Sequence, residues 1–196
     1  MKKLIIISSL VLTTISHSQN INYGFKFGVN NSNISGAIGE ESRSRTSFHV
    51  GLFYEDKTSD KFAVSPEIQY SQQGIRFDDF TNADGVEELN LNYISLSTNA
   101  KVFFGNNFLV LAGPQIGYLI SSDLGGIENS NDRLGSALKN FDYGLNVGFM
   151  FRTNSGVGFG VRYYLGLEDI AEERGLLSGL EGRNRILQFS LEFLIK

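Results

Sequence analysis

Charged side chains recur along this chain at alternate positions, between glycines and small polar residues. Four of them are basic and four are acidic: Lys26, Glu55, Glu67, Lys101, Asp142, Arg152, Arg162 and Glu192. A charge that is removed from water is costly unless an opposite charge pairs with it. The equal numbers therefore predict a buried network of paired charges with a structural role. A selective pore is the alternative use of the same side chains.

The chain offers few residues for enzymatic catalysis. It contains no cysteine and two histidines, His17 and His49. A cysteine nucleophile is excluded, and a zinc site would need carboxylates with a single histidine. A Ser-His-Asp arrangement around His49 is formally possible, but a hydrogen-bonded structural histidine is favoured. The sequence therefore predicts a protein that is not an enzyme, with no catalytic, cofactor-binding or metal-binding site.

Two other stretches approach ligand-binding patterns. Residues 78–85 are acidic, but Phe80 occupies the first ligand position of the calcium-loop pattern. Residues 156–160 are glycine-rich, but they continue into an extended stretch and not into a helix. A phosphate-binding loop needs that helix, so neither stretch predicts a ligand site.

The clearest structural element lies in residues 141–168. Odd positions from Phe141 to Phe151 are all apolar or aromatic, and the same alternation resumes from Val157 to Leu167 after a short turn. Successive side chains of a strand point to opposite faces. The pattern therefore predicts a long antiparallel hairpin with one apolar face.

The same alternation recurs in six further stretches, at residues 23–34, 47–56, 61–76, 89–104, 108–120 and 184–195. Short turns at 57–60, 105–107 and 154–155 alternate with long polar loops at 35–46, 77–88, 121–140 and 169–183. An even number of strands with short turns at one end is typical of outer-membrane barrels. We therefore predict an all-β fold, an eight-stranded antiparallel up-and-down transmembrane β-barrel with short periplasmic turns and long external loops.

Aromatic residues collect at the short-turn ends of these strands. They are Tyr54, Phe62, Phe104, Phe108, Phe151, Phe159 and Phe193. Aromatic residues of membrane barrels form a girdle at the lipid interface. The apolar face is also too continuous to fit inside eight strands, so we expect it to face lipid.

The first 18 residues have the pattern of an export signal. Lys2 and Lys3 precede an apolar stretch at residues 4–15, and Ser16-His17-Ser18 suits a cleavage site. We predict a signal peptide at 1–18 and one barrel domain at 19–196. The formal net charge of the whole chain is −4, which argues against nucleic acid as a partner.

Three places depart from the regular pattern. The alternation slips near Leu91 and Tyr93, where a bulge in the fourth strand would return the apolar side chains to the outer face. Pro66 and Pro114 lie inside strands, so we expect bulges there too. Glu67 and Lys101 lie on neighbouring strands, and we expect them to share one buried charge network that includes Arg152 or Arg162.

Several motifs resemble one family of outer-membrane proteins. Residues 65–74 read SPEIQYSQQG, residues 91–96 LNYISL, residues 112–118 AGPQIGY and residues 163–170 YYLGLEDI. The chain is similar here to PorT-type outer-membrane β-barrel proteins. That resemblance implies an eight-stranded barrel in a Gram-negative outer membrane, and some relatives are tied to protein secretion. Residues 95–97 read SLS where the family usually has Glu-x-Pro, so the role of that acidic residue does not transfer.

These observations favour a non-enzymatic outer-membrane barrel with a plugged, charge-filled lumen. Its polar external loops would bind a protein or surface partner, with an accessory role in secretion or surface organisation, while its outer face contacts outer-membrane lipid. Two alternatives remain: a barrel enzyme that acts at the loop rim, and a soluble secreted barrel that binds a ligand.

Overall fold

The computed structural model describes residues 21–36, 42–77, 88–124, 138–171 and 182–195. The predicted signal peptide and the acidic stretch at 78–85 lie outside these residues. Eight strands are present: β1 (Ile21–Ser35), β2 (Ser42–Lys57), β3 (Phe62–Phe77), β4 (Glu88–Phe104), β5 (Phe108–Leu124), β6 (Phe141–Arg152), β7 (Val157–Gly166) and β8 (Arg183–Ile195). Across the described ranges, no helix has the length and apolar character to cross a membrane.

The strands form one closed antiparallel barrel in chain order, which confirms the predicted fold class. Each strand pairs with its sequence neighbours, and β1 pairs with β8 from Tyr23/Ile195 to Ser35/Arg183. Strands of 10 to 17 residues exceed the usual length of about 5–6 residues. In this closed order β2 faces β6 across the lumen, and β3 faces β7.

The apolar face of the strands points out of the barrel. Leu52 is 62% exposed, and Phe108 and Phe149 are each 60% exposed. The aromatic side chains near the short turns also face outward and pack in pairs, such as Phe108 with Phe151 at a centroid distance of 5.2 Å. A continuous apolar exterior of this kind is stable only against lipid.

The prediction of a bulge in the fourth strand, which would turn its first apolar side chains outward, is wrong. Leu91 and Tyr93 are buried inside the barrel, at 0% and 1% exposure. They lie on the same face as Lys101, and the pairing of β3 with β4 keeps one register from Phe62/Val102 to Arg76/Glu88. The alternation of β4 is therefore unbroken, and the apolar residues near its start belong to the interior.

The irregularity near Tyr93 lies in the neighbouring strand. Asn92 pairs with Ser121 and Tyr93 pairs with Leu119, so Ile120 is the additional residue in β5. A one-residue insertion changes which face the following side chains occupy. Here it leaves both Leu119 and Ser122 buried, while Ile120 is exposed.

The bulges expected at the two prolines are absent from the described strands. Pairing between β2 and β3 is interrupted beside Pro66, and pairing between β4 and β5 is interrupted beside Pro114. The register is the same on both sides of each interruption. A proline removes one ladder donor, but it does not require an inserted residue.

Candidate functional site: the charged barrel lumen

All eight charged residues singled out from the sequence lie inside the barrel. Their exposure ranges from 0% for Lys26, Glu55 and Lys101 to 8% for Arg152. The two-residue period of each strand places them there, because their apolar neighbours take the outer face. The structure brings seven of the eight together in two groups of ion pairs.

The first group, the Glu67 triad, contains Lys26, Glu67 and Arg162. Lys26 Nζ lies 2.6 Å from Glu67 Oε2. Arg162 binds the same carboxylate with two nitrogens, at 2.7 Å to Oε2 and 3.0 Å to Oε1. Arg162 belongs to β7 and Glu67 to β3, which are opposite strands, so this bidentate pair crosses the lumen.

The second group, the Glu55 tetrad, contains Glu55, Lys101, Arg152 and Glu192. Arg152 binds Glu55 with two nitrogens at 2.8 and 2.9 Å, and Lys101 Nζ lies 3.0 Å from Glu55 Oε2. Glu192 Oε2 lies 3.4 Å from Arg152 and 4.0 Å from Lys101. Arg152 belongs to β6 and Glu55 to β2, so a second bidentate pair crosses the lumen.

The structure does not join Glu67 to Lys101 in one set of ion pairs. Glu67 lies opposite Ser97 in the pairing of β3 with β4, and Lys101 lies opposite Ala63. The two charges are therefore separated by two inward positions along the strand pair. Each has a nearer partner, Arg162 on β7 for Glu67 and Glu55 on β2 for Lys101. The triad and the tetrad are still adjacent, since Lys26 lies opposite Glu192.

Asp142 belongs to neither group. Asn184 Nδ2 donates a hydrogen bond of 2.7 Å to Asp142 Oδ2. Asp142 is 2% exposed, and the described part of the chain supplies no cation in an ion pair with it. The prediction of eight paired charges therefore fails for this residue.

His49 belongs to β2 and points into the interior, at 1% exposure, where its ring reaches across β1 to β8. Its Nδ1 is 2.8 Å from Asn30 Oδ1, and its Nε2 is 2.9 Å from Ser190 Oγ. Because a carbonyl oxygen accepts only, Nδ1 donates and Nε2 accepts from the Ser190 hydroxyl. Gly28 of β1 lies opposite His49 on one side and Ser190 on the other, and a Cβ there would come within 2.8 Å of His49 Cε1.

The sequence interpretation missed an apolar cluster inside the long-loop end of the barrel. Its members are Ile34, Ile75, Leu89, Leu91, Tyr93, Leu119, Leu138 and Ile170, all at most 8% exposed. Leu138 and Ile170 come from the connections outside the strands, where Lys139 N donates to Ile170 O at 2.8 Å. The sequence contained part of the information needed to find this cluster. Ile75 shares the parity of Glu67 on β3, and Leu91 shares that of Lys101 on β4, so both belong to the inward face.

No group of three or more metal-binding side chains occurs among the residues that the structure describes. The acidic stretch at 78–85 lies outside them. The Lys139 amine is 2.5 Å from Glu168 Oε1 at the long-loop end, and this hydrogen bond lowers the pKa of the Glu168 carboxyl. Among the described residues, the interior thus holds three features: the two groups of ion pairs, the hydrogen-bonded His49 and the apolar cluster.

Eight long strands in a closed barrel, an apolar exterior and a buried polar interior define an outer-membrane β-barrel. The chain belongs to the family described as outer membrane protein beta-barrel domain, whose model matches residues 16–172. The protein is thus located in the outer membrane. The alternative of a soluble secreted barrel is wrong, because its apolar face would have to point inward.

Solved structures with the same fold have low sequence identity to this chain. Neisserial surface protein A is 12% identical, with a TM-score of 0.57 over 89% of this chain and 99% of that protein. Ail of Yersinia pestis in a phospholipid bilayer nanodisc is 12% identical, with a TM-score of 0.51 over 90% of this chain and all of that protein. No curated protein matches the chain in sequence. At this identity the similarity concerns the fold alone.

Proposed function

We propose that this protein is a non-enzymatic outer-membrane barrel with a closed lumen, and that its polar external loops bind a protein or surface partner. The observation that carries the proposal is the pair of bidentate contacts between opposite strands, Arg162 with Glu67 and Arg152 with Glu55. Each contact spans the lumen. The function is then partner binding by the external loops and not conduction of ions through the lumen.

Physical arguments support a closed lumen. An eight-stranded barrel has an interior just wide enough for side chains to fill. A water-filled path would require the two cross-lumen pairs to separate, and breaking a buried pair costs on the order of 3–5 kcal/mol. The apolar cluster at the long-loop end adds a second barrier, because its side chains exclude water.

Planar-bilayer recording tests the closed lumen. The purified protein, shown to be folded by its gel mobility before and after boiling, should give no steady single-channel conductance. Glu88→Gln, which changes the ion pairs of Glu88 with Arg45 and Arg76 at the strand ends, serves as the control and should also be silent. Steady, large conductance from the folded unmodified protein would refute the proposal.

The role of the loops can be tested by capture of partners. Cross-linking on intact cells, followed by pull-down from detergent-solubilised membranes, should recover a partner with the unmodified protein. A variant in which residues 125–137 are scrambled, with the same length and composition, should recover less of it. Equal recovery with scrambled versions of all the long loops would contradict a loop-based function.

The resemblance to PorT-type proteins supports a narrower version of this proposal. In that version the partner belongs to a secretion system or takes part in surface organisation.

Residues 1–18 act as the export signal, so the mature chain should begin at Gln19. Sequencing the N-terminus of protein purified from membranes tests this cleavage, and retention of Met1 would contradict it.

A barrel enzyme is the second candidate, because Ser190, His49 and Asn30 form a hydroxyl–imidazole–amide chain. A nucleophile, a base and an orienting group have this order in hydrolases. Against it, His49 is buried in the lumen and not at the loop rim, and its orienting group is an amide instead of a carboxylate. A fluorophosphonate probe should leave Ser190 unlabelled, whereas labelling that Ser190→Ala abolishes would favour the enzyme.

A further inference from the structure

The short-turn end of the barrel contains a cavity of about 610 Å³. The three turns at 58–61, 105–107 and 153–156 surround it, and Leu194 of β8 completes its wall. Phe103 and Arg152 also line the cavity. Arg152, which is bound to Glu55 across the lumen, stands between this pocket and the interior of the barrel.

The charged side chains that line the pocket are mainly basic. Lys57 and Lys61 stand at the two ends of the β2–β3 turn, and Asp60 is the acidic residue among those lining the pocket. The Glu55 tetrad behind the pocket has two positive and two negative members, so it adds no net charge. The pocket is therefore positive in a chain whose formal net charge is −4. This local reversal of sign favours an anionic ligand.

The pocket is poorly suited to phosphate. A phosphate is usually held by an arginine fork or by several converging backbone N–H groups. The terminal nitrogens of Arg152 are already bound to Glu55 and Glu192. Its buried Nε, for which the described residues supply no hydrogen-bond partner, is a single donor. Without converging donors, the two lysines act as separate point charges, each of which can meet one carboxylate of a peptide.

The pocket is also poorly suited to a sugar ring, which stacks on a free aromatic face. Phe103 is the aromatic residue among the lining side chains. Lys57 Nζ lies 4.8 Å from the centroid of this ring, and the Arg152 guanidinium carbon lies 5.9 Å from it, so the ring is already in contact with two cations. The amide side chains of Asn106 and Asn107 line the pocket as well, and side chains of this type can bind peptide groups.

We infer that this pocket binds an acidic peptide segment of a partner protein, with Lys57 and Lys61 each facing a carboxylate. The size of the cavity falls within the range of roughly 300–1,000 Å³ that small ligand sites occupy, so only a few residues of the segment enter it. This pocket is distinct from the external loops, which lie at the other end of the barrel. Both ends are accessible in purified protein, so binding to the pocket can be measured whatever the orientation of the barrel in the membrane.

Fluorescence anisotropy with a labelled tetraglutamate peptide tests the inference. The protein in nanodiscs should bind this peptide at low salt and should bind a labelled tetraglutamine peptide less well. The double change Lys57→Gln with Lys61→Gln should weaken binding by roughly three- to tenfold, because each exposed charge pair contributes little. Asp60→Asn should strengthen binding, since it removes the like charge at the opening.

A control for the effect of surface charge lies at the opposite end of β2. Arg43→Gln removes one exposed positive charge from β2 outside the pocket and should leave the affinity unchanged. Equal loss of affinity in this variant and in the lysine double variant would overturn the site, because it would show a non-specific charge effect. Binding of a peptidoglycan fragment in place of the peptide, or of inorganic phosphate with equal affinity, would overturn the peptide assignment.

Discussion

Glu67 accepts charge-assisted hydrogen bonds from two cations on two different strands. Lys26 approaches from β1 and Arg162 from β7, while Glu67 itself lies on β3. A carboxylate in this position is the shared ion-pair partner of two cations that the apolar exterior prevents from reaching water. Its loss would leave both cations buried without a direct partner, whereas loss of either cation leaves the other in place.

At the residue scale, we therefore predict that Glu67→Gln destabilises the protein more than Arg162→Met does. Single changes that strand a buried charge should cost on the order of 3–5 kcal/mol. The double variant should cost less than the sum of the two single changes, by roughly 0.5–3 kcal/mol. Urea unfolding of protein folded in detergent micelles measures all three free energies.

The position of Lys101 supplies the control for this cycle. Lys101 is bound to Glu55 and not to Glu67, so the costs of Lys101→Met and Glu67→Gln should be closer to additive. The exposed pair of Arg76 and Glu88 should contribute only about 0–1 kcal/mol. Coupling of Glu67 to Lys101 as strong as its coupling to Arg162 would contradict the division into triad and tetrad.

At the scale of the elements, β4 determines where the apolar cluster forms. Its inward positions change along the strand from leucine and tyrosine, through serine and asparagine, to Lys101. A single regular strand therefore contributes to an apolar region at one end of the lumen and to a charged region at the other. The extra residue Ile120 in β5 allows both Leu119 and Ser122 to face this interior.

Tryptophan fluorescence can test the direction of β4, because the chain contains no tryptophan. Tyr93→Trp should place the indole inside the barrel, and the adjacent Ile94→Trp should place it against lipid. Brominated phospholipids should quench the second variant strongly and the first weakly. Stronger quenching at position 93 would mean that position 93 faces lipid and position 94 faces the interior.

At the scale of the whole molecule, the barrel has two different ends. The short turns surround the basic pocket, and the connections at the other end cover the apolar cluster with Leu138 and Ile170. Outer-membrane barrels generally have short periplasmic turns and longer external loops. We therefore expect the basic pocket to open to the periplasm.

Single cysteines in this cysteine-free chain can determine the orientation. With a membrane-impermeant maleimide on intact cells, Asn129→Cys should be labelled and Ser155→Cys should not. After the outer membrane is permeabilised, both positions should react. Labelling of Ser155→Cys alone on intact cells would show the inverted orientation.

The sequence by itself determined the number of strands, the closed antiparallel class and the interior position of the eight charged residues. These properties follow from the two-residue period, which is local and needs no knowledge of distant contacts. All eight predicted strands are present, and the charges from Lys26 to Glu192 are buried as their parity requires.

Only the tertiary structure decided which charges meet and where the lumen is apolar. Arg162 reaches Glu67, and Arg152 reaches Glu55, because the order and stagger of the closed barrel place opposite strands at these levels. Parity gives a side chain's face but not its partner across the lumen. The inward position of Tyr93 was misjudged for a related reason, since an apolar residue satisfies either lipid or a packed interior, and the registers of β3 and β5 against β4 decide between them.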